Sequence, residues 1–292
     1  MTMQHAVLLV AHGTVDTLDE LPDFLAAIRR GSPAPPELVA EMRHRYHAIG
    51  GKSPLNDINR RLAAKLEAKL GVPVRLANRL AQPYAHDVMA KLAHDGVRRV
   101  ALVPLAQFSA HVYAEHARRV APTGIEVVSG GNWGTNAGLV EAYAKRIRAA
   151  LTEPATVVLT AHSLPLAVIR AGDRYERDFR ASASAIAARA GVEPIIAFQS
   201  QGMSGGEWLG PGLRDTLEGI AKRGERRVLI APVGFLADHV EILYDVDIEA
   251  QGWAKELGLA MTRTESLDDA DDFVDVLAGL ARPLLEGKMG GA

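Results

Sequence analysis

Three acidic residues in the last quarter of the chain have a spacing that could support metal or proton chemistry. Glu241, Asp245 and Glu249 recur every four residues, a spacing that places side chains on one face of a helix. The run before them, from Val228 to Ala231, is continuously apolar, as expected of a strand buried on both faces. We therefore predict a strand followed by a helix from about residue 238, with its carboxylate row beginning near the carboxyl end of that strand.

An acidic row at the start of a helix also has an ordinary explanation. Asp238 and Glu241 fit a capping box, acidic residues favour helix N-termini, and the row could be a solvated face. The position of the row favours a functional role, because open α/β sheets bind ligands at the carboxyl ends of their strands. His239 lies in the same segment and adds a side chain of a type that commonly ligates metals.

Two histidines follow apolar strands at corresponding places in the sequence. His12 comes directly after Ala6–Ala11, and His162 follows the strand that begins at Val157. Both are predicted to lie at the sheet edge where ligands bind. Histidine nitrogen and carboxylate oxygen together suit a borderline divalent metal such as Fe²⁺, so we expect His162 to face the Glu241 row.

The composition excludes several kinds of site. The chain has 292 residues, of which 48% are hydrophobic and 23% charged, as in an ordinary globular protein. It has no cysteine, which excludes disulfides, cysteine-ligated iron–sulfur clusters and cysteine zinc sites. The net charge of −2 gives no electrostatic reason to expect a nucleic acid partner. Neither a membrane-span pattern nor a signal-peptide pattern is present, so we expect a cytoplasmic protein without a membrane anchor.

The chain alternates strands and helices throughout, which predicts parallel sheets covered on both faces. The segment VLLVAHGT (7–14) resembles VVLTAHSL (157–164), and RRVALVPLAQFSAHV (98–112) resembles RRVLIAPVGFLADHV (226–240), which indicates a duplication. We predict an α/β fold of two similar Rossmann-like domains, residues 1–150 and 151–292, with parallel sheets that face a central cleft. The second domain carries the metal site, and the last helix, from about residue 268, is a candidate to pack back on the first.

A basic region in the first half indicates an anion-binding rim. Cationic side chains flank a proline-rich break at residues 32–36, namely Arg29, Arg30, Arg43 and Arg45. Guanidinium groups bind carboxylates through forked hydrogen bonds. A solvated basic face is the alternative explanation for the same residues.

Several motifs together resemble the ferrochelatase family, specifically the soluble bacterial coproporphyrin type. The matching segments of the second half are TAHSLP (160–165), FQSQG (198–202), EWLGP (207–211) and PVGFLADHVEILYDVD (232–247). Those of the first half are AHGT (11–14), IRRG (28–31), RYHAIGGKSPL (45–55) and QFS (107–109). They occur in family order over nearly the whole chain. The resemblance implies two Rossmann-like domains with a porphyrin cleft between them, and a reaction in which Fe²⁺ enters a porphyrin and two protons leave.

The resemblance also implies roles for single residues. His162 and Glu241 fall on the family's metal-site pair and are expected to be catalytic, and Asp245 and Glu249 continue the metal-binding row. The implied porphyrin-binding residues are Arg29, Arg45, Tyr46 and Ser53. His12 stands where the coproporphyrin type commonly has a tyrosine that ligates the product iron, and imidazole is itself a common haem ligand. No cofactor is implied, because Fe²⁺ is a substrate.

Several activities remain open at this point. The leading prediction is a ferrochelatase that prefers coproporphyrin III, because the basic region suits its four propionates, with protoporphyrin IX as the alternative substrate. A second enzyme prediction is a cobalt or nickel chelatase of a reduced tetrapyrrole. The third is a haem or porphyrin carrier without turnover. We expect a monomer that binds porphyrin and Fe²⁺ but no nucleic acid, with transient contacts to other enzymes of the haem pathway.

Overall fold

The computed structural model describes residues 5–202 and 205–287. Contacts within the chain divide it into two compact units, Met1–Trp133 with Asp268–Ala292 (unit 1) and Gly134–Leu267 (unit 2). Each unit holds a four-stranded parallel sheet flanked by helices, which confirms the predicted α/β class. Within the described ranges, no helix combines the length and apolar character needed to cross a membrane.

Unit 1 is built on four strands in the order β2-β1-β3-β4. These are β1 (His5–Ala11), β2 (Val74–Asn78), β3 (Arg99–Pro104) and β4 (Glu126–Ser129). Its helices are α1 (Leu21–Ile28), preceded by a 3₁₀ turn at Leu18–Glu20, α2 (Pro36–Ala48), α3 (Leu55–Leu70), α4 (Ala85–His94), α5 (Ala110–Val120) and α12 (Asp271–Leu285). The apolar run that predicted β1 is buried along its whole length after the first residue, as a central strand of a covered parallel sheet should be.

Unit 2 repeats this arrangement in the order β6-β5-β7-β8. Its strands are β5 (Thr156–His162), β6 (Ile195–Gln199), β7 (Arg227–Ala231) and β8 (Ala260–Arg263). Its helices are α6 (Ala137–Ala150), α7 (Leu166–Arg170), α8 (Tyr175–Ala190), α9 (Leu213–Lys222), α10 (Val240–Leu243), a π-helical segment (Asp245–Ala250) and α11 (Gln251–Glu256). The two strand orders are the same when β5 is matched to β1 and β7 to β3, as the two pairs of similar segments indicate.

Helix α6 falls in the predicted domain 1–150 but lies in unit 2, whereas α12 lies in unit 1, the place for which the last helix was a candidate. Helix α6 packs against α8, and its Tyr143 hydroxyl donates to the Phe235 carbonyl at 2.7 Å. Helix α12 packs on α3, β1 and β3. Charge pairs at its start join Arg61 and Lys65 to Asp269 at 2.9 and 3.3 Å. The order of elements along the chain could not show the place of α6, because an amphipathic pattern does not reveal which sheet a helix covers.

The helix predicted from residue 238 is shorter and less regular than expected. It begins at Val240 as α10 and then widens, because the Glu249 amide bonds to the Tyr244 carbonyl, five residues earlier, at 2.9 Å. Wide turns of this π type are frequent at functional sites. A short helix, α7, begins directly after Pro165, since proline is tolerated immediately before a helix.

Gly234 allows the segment after β7 to pass close to the end of β5. Its amide donates to the Thr160 carbonyl at 2.9 Å. A Cβ atom added to Gly234 would lie 2.5 Å from the Cα of Ala161, too close for any side chain. The residues that follow, among them Phe235 and His239, can therefore reach the end of β5 only because this position is glycine.

We expect Gly234→Ala to destabilise the protein by about 1–3 kcal/mol, because β5 or the neighbouring loop must move to make room. The midpoint of urea unfolding measures the effect. Gly252→Ala is the matched control, since among the described residues nothing beyond its own helix lies within 4 Å of the added Cβ. That change should stabilise the protein by about 0.5–1 kcal/mol. A Gly234→Ala midpoint equal to the wild-type value would contradict the close approach.

Candidate active site

A contact between His162 and Glu241 forms the centre of the site in unit 2. His162 is the last residue of β5, and Glu241 lies in the first turn of α10. The His162 Nε2 lies 3.4 Å from Glu241 Oε1, and the two side chains keep 31% and 35% of their exposure. They form a half-buried pair that a substrate can still reach.

A contact at the other side of the His162 ring determines which ring nitrogen carries the hydrogen. The Nδ1 atom contacts the carbonyl oxygen of Ser163. Because a carbonyl oxygen only accepts, Nδ1 carries a hydrogen, and Nε2 is the nitrogen that can gain or lose a proton beside Glu241. The Tyr175 hydroxyl donates to the His162 carbonyl at 3.0 Å, which holds the backbone of the histidine in place.

The two groups shift each other's pKa in opposite directions. Burial alone would lower the pKa of His162, but the Glu241 carboxylate outweighs burial and raises it above the ordinary value near 6.5. Burial alone would raise the pKa of Glu241, but the His162 imidazole, helped by His239, holds it well below its usual range. Both shifts favour the charged pair, imidazolium with carboxylate, over the neutral one.

His239 is a second histidine at this carboxylate, and it was not among the predicted site residues. Its Nε2 lies 3.3 Å from Glu241 Oε2, and its Nδ1 lies 3.0 Å from the Ala237 carbonyl. Because the Ala237 carbonyl only accepts, the His239 Nδ1 carries a hydrogen and its Nε2 faces Glu241. The signal in the sequence was the spacing, because an extended residue two places before a helical carboxylate can turn its side chain back toward it.

The three predicted metal-binding carboxylates, Glu241, Asp245 and Glu249, are spread along the helical segment after β7 rather than gathered at one point. Across residues 5–202 and 205–287, no three His, Asp or Glu side chains form a group that could hold a metal ion. Asp245 is only 5% exposed, whereas Glu249 is half-buried. Glu241 and Glu249 are two turns apart, on the order of 10 Å along the axis.

The end of β6 connects the sheet to the acidic row. The Thr160 hydroxyl donates to Gln199 Oε1 at 2.6 Å, and Gln199 Nε2 donates to the Glu241 carbonyl at 3.0 Å. Thr160 and Gln199 are both buried. Helix α10 is thus held to β5 and β6 by a continuous chain of hydrogen bonds, which fixes the height of Glu241 above the sheet.

In unit 1, His12 is exposed directly after β1. Its Nδ1 lies 3.5 Å from the Tyr113 hydroxyl, and its ring meets Phe24 edge-on with the centroids 6.1 Å apart. Arg79, which follows β2, places its guanidinium carbon 5.9 Å from the centre of the Tyr113 ring. Arg79 and Tyr113 were not among the predicted site residues, although Arg79 directly follows β2 and so falls at the ligand-binding edge.

The other four predicted porphyrin-binding residues differ in accessibility. Tyr46 is 1% exposed, and its hydroxyl lies 2.5 Å from Thr14 Oγ1. Ser53 is fully buried. Arg29 is exposed just after α1, and Arg45 is partly buried and pairs with a glutamate one turn earlier at 2.7 Å. Solvent thus reaches the two arginine side chains, whereas the hydroxyl groups of Tyr46 and Ser53 are buried.

Known proteins resemble this chain over nearly its whole length. A family model described as Ferrochelatase matches residues 4–284. The chain belongs to the ferrochelatase family. The resemblance seen in the sequence motifs is thereby confirmed, and the protein is an enzyme, a metal chelatase of haem biosynthesis.

Several curated ferrochelatases are about one third identical to this one. The ferrochelatase of Acidobacterium capsulatum is 36% identical, with 98% of this chain and 96% of that protein covered. The coproporphyrin III ferrochelatases of Mycobacterium marinum and Geobacillus kaustophilus are 34% and 32% identical, covering 97% and 94% of this chain and 87% and 94% of those proteins.

A solved structure shares the fold of this ferrochelatase at lower identity. SirB from Bacillus subtilis, determined with Fe³⁺, matches with a TM-score of 0.63 and 17% identity, covering 98% of this chain and 99% of SirB. A cobalt complex of the sirohydrochlorin chelatase SirB from the subspecies spizizenii gives 0.64 and 16%, covering 98% and 97%. These likenesses show the fold alone.

In this ferrochelatase we expect Glu241→Gln to lower the pKa of His162. The carboxylate keeps the imidazole protonated to a higher pH than an isolated histidine, and without that charge burial acts in the opposite direction. An NMR titration of the histidine ring signals measures the change, with His162→Ala used to assign the resonance. Glu249→Gln is the matched control and should leave the titration where it is. A His162 pKa that does not respond to Glu241→Gln would show that the pair is not formed in solution.

Proposed function

We propose that this ferrochelatase inserts Fe²⁺ into coproporphyrin III, in exchange for the two pyrrole N–H protons of the macrocycle. The half-buried contact of His162 with Glu241 is the observation that carries the proposal, since it joins a base to a metal-binding carboxylate at 3.4 Å. The reaction needs both a base and a metal-binding group, because each N–H proton must leave as the iron–nitrogen bonds form. Fe²⁺ enters as a substrate, and the proposal requires no resident cofactor.

His162 accepts the protons at its Nε2 atom as a general base. The imidazole must be neutral to do this. The adjacent Glu241 carboxylate then stabilises the imidazolium that forms, which agrees with the raised pKa of His162. The second oxygen of Glu241 faces His239, which offers the proton a next acceptor away from the porphyrin. The cycle runs twice for each porphyrin, since two protons are released.

The acidic row supplies the metal. Carboxylate oxygens suit a hydrated divalent cation, and the addition of imidazole nitrogen suits Fe²⁺. Glu249 receives the ion, Asp245 passes it on, and Glu241 with His162 presents it to the macrocycle. Protons and metal compete for the same groups, so the reaction slows as the pH falls.

Two features favour coproporphyrin III over protoporphyrin IX. Some of the most similar relatives are named coproporphyrin III ferrochelatases. In addition, coproporphyrin carries four propionates and protoporphyrin two, so the former needs cationic partners around more of its edge. Arg29 and Arg45 were expected to provide them, and Arg79 is a third candidate in unit 1.

The remaining residues of unit 1 have different accessibility and therefore different proposed roles. We assign His12 and Tyr113 to contact with the porphyrin, because His12 is exposed beside the Tyr113 hydroxyl. Tyr46 and Ser53 are buried, and we assign them to the support of this surface. The Tyr46 hydroxyl does so through Thr14, two residues after His12.

We expect His162→Ala and Glu249→Gln to impair the enzyme in different ways. Loss of the base should lower kcat by about 10²-fold or more. Loss of the outer carboxylate should instead raise KM for Fe²⁺, because Glu249 lies on the order of 10 Å from Glu241 along the helix and cannot touch the same iron. Anaerobic initial rates at varied Fe²⁺ distinguish the two effects, with circular dichroism to show that both variants are folded. Equal losses of kcat with an unchanged KM for Fe²⁺ would contradict the assigned order.

Comparison of kcat/KM for coproporphyrin III and protoporphyrin IX tests the proposed substrate. Arg29→Ala and Arg45→Ala should each lower kcat/KM for coproporphyrin III by about tenfold to a hundredfold, the equivalent of one charge-assisted hydrogen bond, and affect protoporphyrin IX less. Arg118→Ala is the matched control, because it removes an arginine of unit 1 that bonds to Ser129. It should leave kcat/KM unchanged for both porphyrins. Faster wild-type turnover of protoporphyrin IX, or of sirohydrochlorin with cobalt, would overturn the assignment to coproporphyrin III.

A further inference from the structure

Ser200, the first residue after β6, has an unusual backbone conformation. Among the described residues, three that are not glycine have a positive φ angle, and Ser200 is the one in unit 2, with φ of 59°. This region is unfavourable for a residue with a Cβ atom, and serine is not one of the types that tolerate it best. Such a conformation persists only where the surrounding structure holds it, and it is frequent at functional sites.

The conformation directs the Ser200 side chain to the acidic row. Its hydroxyl donates to Asp245 Oδ2 at 2.5 Å. Asp245 is 5% exposed and is the first residue of the π-helical segment. A hydrogen bond from a hydroxyl to a carboxylate is charge-assisted and therefore strong and directional. Ser200 thus determines how the Asp245 carboxylate is turned.

The preceding residue holds the previous turn of the same row. Gln199 donates to the Glu241 carbonyl at 3.0 Å and is itself fixed by the Thr160 hydroxyl. Two consecutive residues at the end of β6 therefore contact two consecutive members of the row. Gln199 sets the position of the helix backbone, and Ser200 sets the orientation of one carboxylate on it.

We propose that Ser200 is a positioning residue for Fe²⁺ uptake, which acts by orienting the Asp245 carboxylate toward the incoming metal. This inference rests on the proposed function of the acidic row and adds to it a residue that lies outside the row. Ser200 itself does not bind iron. Its role is to keep a buried carboxylate turned toward the path of the ion, and without the hydroxyl that carboxylate is held less firmly.

Substitutions that remove the hydroxyl test this role. Ser200→Ala and Ser200→Gly should each raise KM for Fe²⁺ by about tenfold, equivalent to about 1.4 kcal/mol, and change kcat and KM for coproporphyrin III by less than about twofold. Ser200→Asn should recover much of the lost affinity, because asparagine tolerates a positive φ and its side-chain amide can donate to Asp245. A normal KM for Fe²⁺ in both Ser200→Ala and Ser200→Gly would overturn the proposal.

Thermal unfolding separates positioning from a general structural role. Ser200→Gly relieves the unfavourable backbone conformation, so its Tm should equal or exceed that of Ser200→Ala although both share the KM defect. Ser182→Ala is the matched control, since it removes another buried hydroxyl of unit 2, which donates to the Gly134 carbonyl at 2.6 Å. It should lower Tm without changing KM for Fe²⁺. A KM that simply follows Tm across all these variants would overturn the positioning role.

Asp245→Asn distinguishes failure of this inference from failure of the proposed function. If Ser200 acts through Asp245, the double variant Ser200→Ala/Asp245→Asn should have the same KM for Fe²⁺ as Asp245→Asn alone, because the two effects are not additive. A raised KM in Asp245→Asn with normal Ser200 variants would leave the acidic row intact as a metal path and refute the role of Ser200. A normal KM in Asp245→Asn would refute the metal path itself, and the role of Ser200 with it.

Discussion

The attraction between the His162 imidazole and the Glu241 carboxylate is the interaction on which the rest of the site depends. Burial disfavours each charge separately, and each charge stabilises the other. Such a pair is useful only at a fixed separation, because removal of either partner leaves a partly buried charge without compensation. The fold provides that separation by placing β5 beside β7 in one parallel sheet, so that the two chain segments leave the sheet at the same edge.

Several contacts then hold the segment after β7 against the end of β5. Gly234 permits the close approach, and the Tyr143 hydroxyl from α6 bonds to the carbonyl of the next residue at 2.7 Å. Gln199 joins α10 to β6. These contacts are polar or steric and come from three different elements. The site therefore depends on the packing of the whole of unit 2, including a helix that precedes its first strand in the chain.

The sequence predicted the strands and the likeness of the two sheets, because buried strands of a parallel sheet leave long apolar runs. It also predicted that His162 faces Glu241, because the first ends one such run and the second begins the acidic row after another. It could not predict the π-helical segment, since acidic residues four apart fit an α-helix equally well. The burial of Tyr46, which the resemblance implies to be a porphyrin-binding residue, could not be predicted either, because the residue type does not show which way a hydroxyl faces. Ser200 gave no signal, since positive φ angles are expected of glycine or asparagine.

The two units place histidines at corresponding strand ends and surround them with side chains of opposite charge. In unit 2 the histidine meets a carboxylate, which strengthens it as a base and completes a donor set for a cation. In unit 1 the equivalent His12 meets the Tyr113 hydroxyl, and the guanidinium of Arg79 lies against the same tyrosine. A phenol and a guanidinium donate hydrogen bonds, so this edge suits an anionic ligand. The corresponding sheet edges of the two units thus differ in charge, with a carboxylate beside the histidine in unit 2 and hydrogen-bond donors near the histidine in unit 1.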